Sequence, residues 1–404
     1  MFERRIPEWL RHAPAPSIKG FAAISGFEAI TRGMLISVFP VAAYDALKSA
    51  SLVSSMYFAI GVLSLIVGLL VPYFNNFIPR RILYVIGALG YILGSCLAAT
   101  GLPHMVILGL LLNTLATVIT FVCFNAYVLD YIARVELGKC ETLRMFYSAL
   151  GWTIGPVVGV VLWKFWFPLP FILSAISATF LLTTFLYMRL GNGKLISKAR
   201  RPTVNPLAYL GRFAVQPRLI AGWLFAVIRS CGWWAYVVYL PIFAVVNGLG
   251  EQVGGIFLSI TNAGLFCAPF MLRFVQSFSV KFAVQTGFLA VAILFAVATI
   301  VSDYAWGTVA FLFVGSYFLI LLDICGGLPF LMSVKPSERT EMSAIYSSFR
   351  DVSGILTPGI AWLILTVAPV SGIFLASGIA SLAAWKVAGS LHPRLGKNRL
   401  SPVR

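Results

Sequence analysis

The stretch Lys19 to Tyr44, KGFAAISGFEAITRGMLISVFPVAAY, constrains the fold more than any other part of the chain. It is long enough to cross a bilayer as a helix, because about 20 residues rising about 1.5 Å each match a hydrocarbon core of about 30 Å. Yet it carries Glu28 and Arg32 near its middle, four residues apart and therefore on one helix face. Charge at membrane depth is costly and rarely faces lipid, so the pair points to a functional polar path. The rest of the chain extends the theme. Of its 404 residues 60% are hydrophobic and only 11% charged, with mean hydropathy +0.93. A soluble fold cannot cover so much apolar surface, which makes this an all-α polytopic membrane protein.

Apolar runs between polar or Pro/Gly breaks predict twelve transmembrane spans. They lie near 19–43, 51–74, 80–101, 104–131, 141–164, 167–189, 218–246, 252–273, 280–302, 304–332, 341–366 and 370–390. The net charge of +17 is placed asymmetrically. With the N-terminus inside, 25 of the 30 Lys and Arg fall on that side, and only Lys48 and Lys164 fall on the other. Arg32, Arg229 and Arg350 lie within spans. This bias predicts cytoplasmic N- and C-termini. It makes the charge a topology signal with a role towards anionic lipid, not a nucleic-acid surface. Met1 to Ser17 is polar and proline-broken, so the first span is expected to serve as an uncleaved signal anchor.

The longest polar stretch, Gly191 to Pro217, holds Lys194, Lys198, Arg200 and Arg201 with Pro202 and Pro206. It predicts a cytoplasmic segment over 1–18, a six-helix bundle over 19–190, a basic linker over 191–217, a second bundle over 218–390 and a tail over 391–404. Prolines recur at an offset near 200 residues: Pro40 with Pro241, Pro72 with Pro269, and Pro156 with Pro358. Two parallel six-helix repeats are a recognised transporter design.

Several classes are excluded. Cys96, Cys123, Cys140, Cys231, Cys267 and Cys325 are scattered without metal spacing, and His12, His104 and His392 fall at termini or loops. There is no Walker A loop, dinucleotide fingerprint, H-E-x-x-H or G-x-S-x-G. The chain is thus expected to bind no metal or cofactor and to be neither an enzyme nor an ATP-driven pump. The extracytoplasmic loops are too short to fold as a sensor, which argues against a receptor. Short loops and the lack of any N-x-S/T sequon fit a bacterial inner membrane.

Twelve spans split six and six around a basic loop resemble the major facilitator superfamily. Between spans 2 and 3 the family carries a Gly, an acidic residue and paired basic residues; here Gly68, Arg80 and Arg81 match, while Asn75 or Asn76 replaces the acid of the charged latch. Span 5 reads GWTIGPVVG, with Gly151, Gly155, Pro156 and Gly159, and resembles the family's antiporter motif except that Thr142 replaces its earliest glycine. Glycines four apart let helices approach closely, and proline removes a helical hydrogen bond. The resemblance implies that spans 1, 4, 7 and 10 line a cavity, 2, 5, 8 and 11 flank it, and 3, 6, 9 and 12 face outward. The charges within spans are Glu28, Arg32, Arg229, Asp323, Arg350 and Asp351, and none falls in an outward span.

Roles follow from residue type. Arg32, Arg229 and Arg350 stay charged and can bind a carboxylate, phosphate or sulfonate, or hold a protein carboxylate. Glu28 and Asp323 are the proton-coupling candidates, since a carboxylate at membrane depth can gain or lose a proton as its partner changes. Glu28–Arg32 and a partner for Asp351 could instead be structural pairs; Arg350 and Asp351 diverge by about 100° on a helix, which assigns Asp351 the structural part. Trp233, Trp234 and Tyr236 near Arg229 could wall an amphipathic substrate, and Asn113 and Asn125 could bind substrate or bridge helices. Asp130, Glu136 and Glu141 beside Arg134 and Arg144 suggest a cytoplasmic charge latch. Gly326, Gly327 and Pro329 after Asp323 predict a bend that would suit a gate.

Together these features predict a proton-coupled secondary transporter, monomeric in the bilayer, working by alternating access of its two bundles. Three acids and three bases favour a small zwitterionic or weakly anionic, amphipathic substrate. Export by antiport is the leading direction and proton-coupled uptake of an organic anion the runner-up. A membrane receptor or lipid-modifying protein is the alternative from another class.

Overall fold

Prolines and serine caps decide where many of the helices begin. The computed structural model describes residues 17–75, 77–132, 137–188, 210–334, 342 and 345–391, and among these no strand occurs. Its helices are α1 (Ile18–Leu35), α2 (Val38–Leu47), α3 (Ala50–Phe74), α4 (Arg80–Ala99), α5 (Pro103–Tyr131), α6 (Leu137–Phe165) and α7 (Leu169–Tyr187). They continue with α8 (Leu210–Ala214), α9 (Pro217–Trp234), α10 (Leu240–Val246), α11 (Gln252–Ala263), α12 (Ala268–Ser277) and α13 (Val280–Ile300). The last four are α14 (Ala305–Cys325), α15 (Leu328–Ser333), α16 (Phe349–Ile364) and α17 (Ser371–Ala388). Ser17 caps α1 by accepting from the Gly20 N–H at 3.2 Å, and Ser279 caps α13 by accepting from Phe282 at 3.1 Å. Proline opens α5 and α9, where a missing N–H costs no helical bond.

Among the described residues ten helical stretches are long and apolar enough to cross a membrane. They coincide within a few residues with predicted spans 1 to 7, 9, 10 and 12. The other two differ. Span 8 is α11 and α12 joined by a 3₁₀ turn, Gly264–Cys267. Pro269 sits in the first turn of α12, just after this break, where its missing N–H costs no helical bond. Span 11 is represented by α16, whose 16 residues reach only about 24 Å; residues 335–341 and 343–344 lie outside the described residues. The linker expected over 191–217 also lies outside them up to residue 209, with Lys194, Lys198, Arg200 and Arg201.

The chain forms two compact units, one of residues 1–46 and 63–202 and one of residues 47–62 and 203–404. In the first, α1 packs along α6 and α7 while α4 packs along α5 and α7. Phe21, Ile24, Tyr84, Phe124, Tyr127 and Phe185 form its buried core, with Tyr84 stacked on Phe185 at 4.0 Å. In the second, α13 packs on α14 and α17, and α9 packs on α15, α16 and α17.

The first half of α3, sequence-assigned to the N-terminal bundle, belongs to the second unit. Tyr239 donates its hydroxyl to Ser54 Oγ at 3.0 Å, Tyr57 meets Trp234 edge-on at 6.2 Å, and a Cβ on Gly61 would lie 2.8 Å from the Gly354 carbonyl oxygen.

The proline repeat has a backbone counterpart. Helix α1 gives way to α2 through a turn at Ile36–Ser37, which ends three residues ahead of α2's Pro40. Helix α9 gives way to α10 through a π turn, Ala235–Tyr239, ahead of Pro241. In both spans the helix re-registers just before the proline, which then sits in a first turn where its missing N–H is harmless. Pro156 and Pro358 both lie inside their helices, α6 and α16.

Candidate functional site

Among the described residues, each unit holds an acid–arginine pair within a candidate membrane span. In the first, Arg32 Nη1 lies 3.2 Å from Glu28 Oε1, one turn apart on α1. Such an i,i+4 pair adds only about 0.2–0.5 kcal/mol to a helix in water, so helix stability does not account for two charges in an apolar span. Arg32 is the more open member, 33% exposed against 18% for Glu28. Its guanidinium lies over the Trp152 ring of α6 at 5.2 Å.

Close packing fixes α1. A Cβ on Gly151 would lie 2.6 Å from the Ala29 carbonyl carbon, one on Gly155 2.6 Å from that of Gly33, and one on Gly159 would collide with the Met34 carbonyl. The glycines of the antiporter-like motif are therefore the contact line between α6 and α1, the close approach their spacing predicts. From α7, Ser177 donates to the Phe27 carbonyl and Ser174 to that of Thr31, both at 2.9 Å.

Asn113 is buried between helices. Its amide donates to Ser95 Oγ at 3.4 Å, and Ser95 pairs with Ser174 Oγ at 3.2 Å, so it bridges α5, α4 and α7. We expect Asn113→Ala to lower stability by about 1 kcal/mol and to leave transport rate per folded molecule unchanged, checked by thermal unfolding beside flux. Asn125 accepts from Arg144 Nη2 at 3.5 Å; Arg144 also donates to Ser25 Oγ at 3.1 Å and lies over Phe124 at 4.7 Å. Arg80 lies over Tyr127 at 5.3 Å, and Arg81 sits half-buried beside it at the start of α4. The side chains of Asp130, Arg134, Glu136, Glu141 and Thr142 lie outside the described residues, and with them the expected charge latch.

In the second unit Arg229 of α9 meets Asp323 of α14. Arg229 Nε is 2.9 Å from Asp323 Oδ1, but its N–H is poorly aligned for a hydrogen bond, so the contact is a charge pair. Trp233 donates its indole N–H to Asp323 Oδ2 at 2.9 Å. Here the acid is the open member, 39% exposed against 11% for the arginine. Arg229 is backed by the Phe349 ring at 5.3 Å and by the Leu322 carbonyl at 3.5 Å. These contacts make it a holder of Asp323 more than an open anion site. Helix α14 ends at Cys325, two residues after Asp323, and α15 restarts at Leu328, so the helix is interrupted at Gly326 and Gly327, where the sequence predicts a bend.

Other candidates divide by exposure. Arg350 is exposed, with its guanidinium 5.7 Å from the Phe349 ring. Asp351 is also exposed, in the first turn of α16, where an acid favours the helix dipole. Tyr236 is buried, sharing a hydroxyl chain with Thr261 at 2.8 Å and, through it, Ser316 at 2.9 Å. Trp234 packs against Tyr57 and Gly354. Trp233 is thus the member of the aromatic group that touches the charged pair. Among the described residues no group of three or more His, Cys, Asp or Glu side chains could hold a metal ion.

The family model for the Major Facilitator Superfamily matches residues 21–358. The chain belongs to this superfamily. Among solved structures, that of the nucleoside transporter NupG superposes on this superfamily member with TM-score 0.70 at 14% identity, covering 93% of this chain and 99% of its own. A POT family transporter in complex with 5-aminolevulinic acid superposes with TM-score 0.69 at 14% identity, covering 92% and 94%. At that identity the likeness is one of fold. No curated protein sequence matches the chain significantly. Membership makes this chain a secondary transporter of the lipid bilayer, a class that takes small-molecule substrates.

Sequence reasoning missed Trp152, Phe349 and Ser25. A signal for Trp152 was present, since the residue after a contact-line glycine must emerge on the flank of that contact. Phe349 and Ser25 carried no comparable mark.

Proposed function

We propose that this superfamily member moves a small zwitterionic, amphipathic organic molecule in exchange for protons, with both termini cytoplasmic and twelve spans in two six-helix bundles. One observation carries the reading: the open member of the pair is a guanidinium in the first unit, Arg32, and a carboxylate in the second, Asp323. Arg32 offers a counter-charge to a substrate carboxylate, and Asp323 offers one to a substrate ammonium group. A substrate ammonium and a proton both satisfy Asp323, and only one can do so at a time. Competition of that kind is the chemistry of antiport, and the antiporter-like glycine motif that seats α1 supports export.

Glu28 supports a second reading. A substrate carboxylate on Arg32 displaces Glu28 from its partner, and a displaced carboxylate in an apolar span gains a proton. The proton then travels with the anion, as in symport.

Purified protein in proteoliposomes, offered labelled amino acids, dipeptides and 5-aminolevulinic acid beside simple organic anions and cations, tests the substrate class. Zwitterions are expected to be moved and to compete with one another; transport of simple cations or anions alone, or of none of the panel, would contradict the proposal.

A further inference from the structure

We infer that Trp152 is a positioning residue for the substrate's carboxylate, acting by holding the Arg32 guanidinium flat with its edge towards the substrate; this rests on the proposal that Arg32 meets a substrate anion. The geometry begins at the backbone. Ala29, Gly33 and Met34 of α1 face Gly151, Gly155 and Gly159 of α6 in rising order, so the two helices run parallel. Arg32 precedes its contact glycine by one residue and Trp152 follows its own by one. On facing parallel helices a step of about −100° from one contact line and about +100° from the other lead to the same side. The indole and the guanidinium therefore emerge together, and the ring sits under Arg32 at 5.2 Å.

This arrangement divides the guanidinium between two tasks. Its central carbon lies over an aromatic ring at 5.2 Å, within cation–π reach, where arginine's planar group can also stack. One edge nitrogen, Nη1, is directed to Glu28. A guanidinium held by its face keeps its N–H groups in a fixed plane, which suits a planar carboxylate approaching bidentately. The ligand group selected is a trigonal carboxylate, free of steric bulk on the side of the indole.

The test compares Trp152→Phe, Trp152→Leu and Arg32→Ala in proteoliposomes, using the panel zwitterion with the highest flux and its carboxamide analogue. Trp152→Leu is expected to raise the KM for the zwitterion roughly tenfold with little change in kcat, whereas Trp152→Phe, which keeps a cation–π platform, stays within about threefold of the parent. The carboxamide should bind weakly to the parent and be no weaker with Trp152→Leu. Equal thermal unfolding of the Leu and Phe variants would separate the effect from loss of packing. If leucine serves as well as phenylalanine, or if the carboxamide loses as much as the zwitterion, Trp152 does not position the carboxylate. Unchanged KM in Arg32→Ala would instead overturn the assignment of Arg32 to the substrate, a different result from Trp152 alone being silent.

Discussion

Asp323→Asn is expected to abolish proton-driven accumulation of substrate while sparing exchange of substrate for substrate. Asparagine keeps the size of aspartate, and its carbonyl can still accept the Trp233 indole N–H that now reaches Oδ2 at 2.9 Å. What it loses is the charge, and with it the ability to trade a proton for a substrate ammonium. Exchange needs no net proton movement, so it should persist at a reduced affinity. The substitution also strands Arg229, which is only 11% exposed. Breaking a fully buried pair costs about 3–5 kcal/mol; with the acid 39% exposed, screening brings this to about 1–2 kcal/mol. Net accumulation and exchange, measured on the same vesicles, check the prediction, and a loss of at least about tenfold in the first alone is the expected outcome.

Gly155→Val should be strongly destabilising although it touches neither charged pair. The new Cβ would lie 2.6 Å from the Gly33 carbonyl carbon and 2.9 Å from the Met34 nitrogen. Both are backbone atoms and cannot swing aside, so α1 and α6 must separate. Overpacking costs about 1–3 kcal/mol, occasionally more, and a backbone obstacle belongs at the upper end. Separation would also carry Arg32 away from Trp152 and disturb the Glu28 pair. Gly211→Ala is the control: nothing lies within 4 Å of its Cβ position, and alanine is the better helix former by about 1 kcal/mol. Thermal unfolding in detergent should therefore fall clearly for Gly155→Val and stay or rise for Gly211→Ala.

The spans were legible because lipid imposes one rule, a long apolar helix with its backbone bonds satisfied internally, and hydropathy reports that rule directly. Spans 8 and 11 departed from it at a 3₁₀ turn and at a helix whose described part is short, features set by local backbone geometry more than by average hydropathy. The Glu28–Arg32 pair was readable because helical spacing fixes it. The Arg229–Asp323 pair was not, since the two residues are brought together only by the packing of α9 on α14. Span membership drew Tyr236 towards the substrate, whereas the structure seats it in a buried hydroxyl chain between helices; for Asn113, left between substrate and helix bridging, the structure shows a bridge. A polar residue in a span can face a neighbouring helix as readily as a cavity, and sequence alone does not say which.

The measurement that tests the account most directly is substrate-evoked proton movement in proteoliposomes carrying a pH-sensitive dye, for the parent, Glu28→Gln and Asp323→Asn. Antiport coupled through Asp323 predicts a proton flux opposite in direction to the zwitterion, lost in Asp323→Asn and weakened in Glu28→Gln. Substrate flux with proton movement unchanged in both variants would remove these carboxylates from coupling and contradict it.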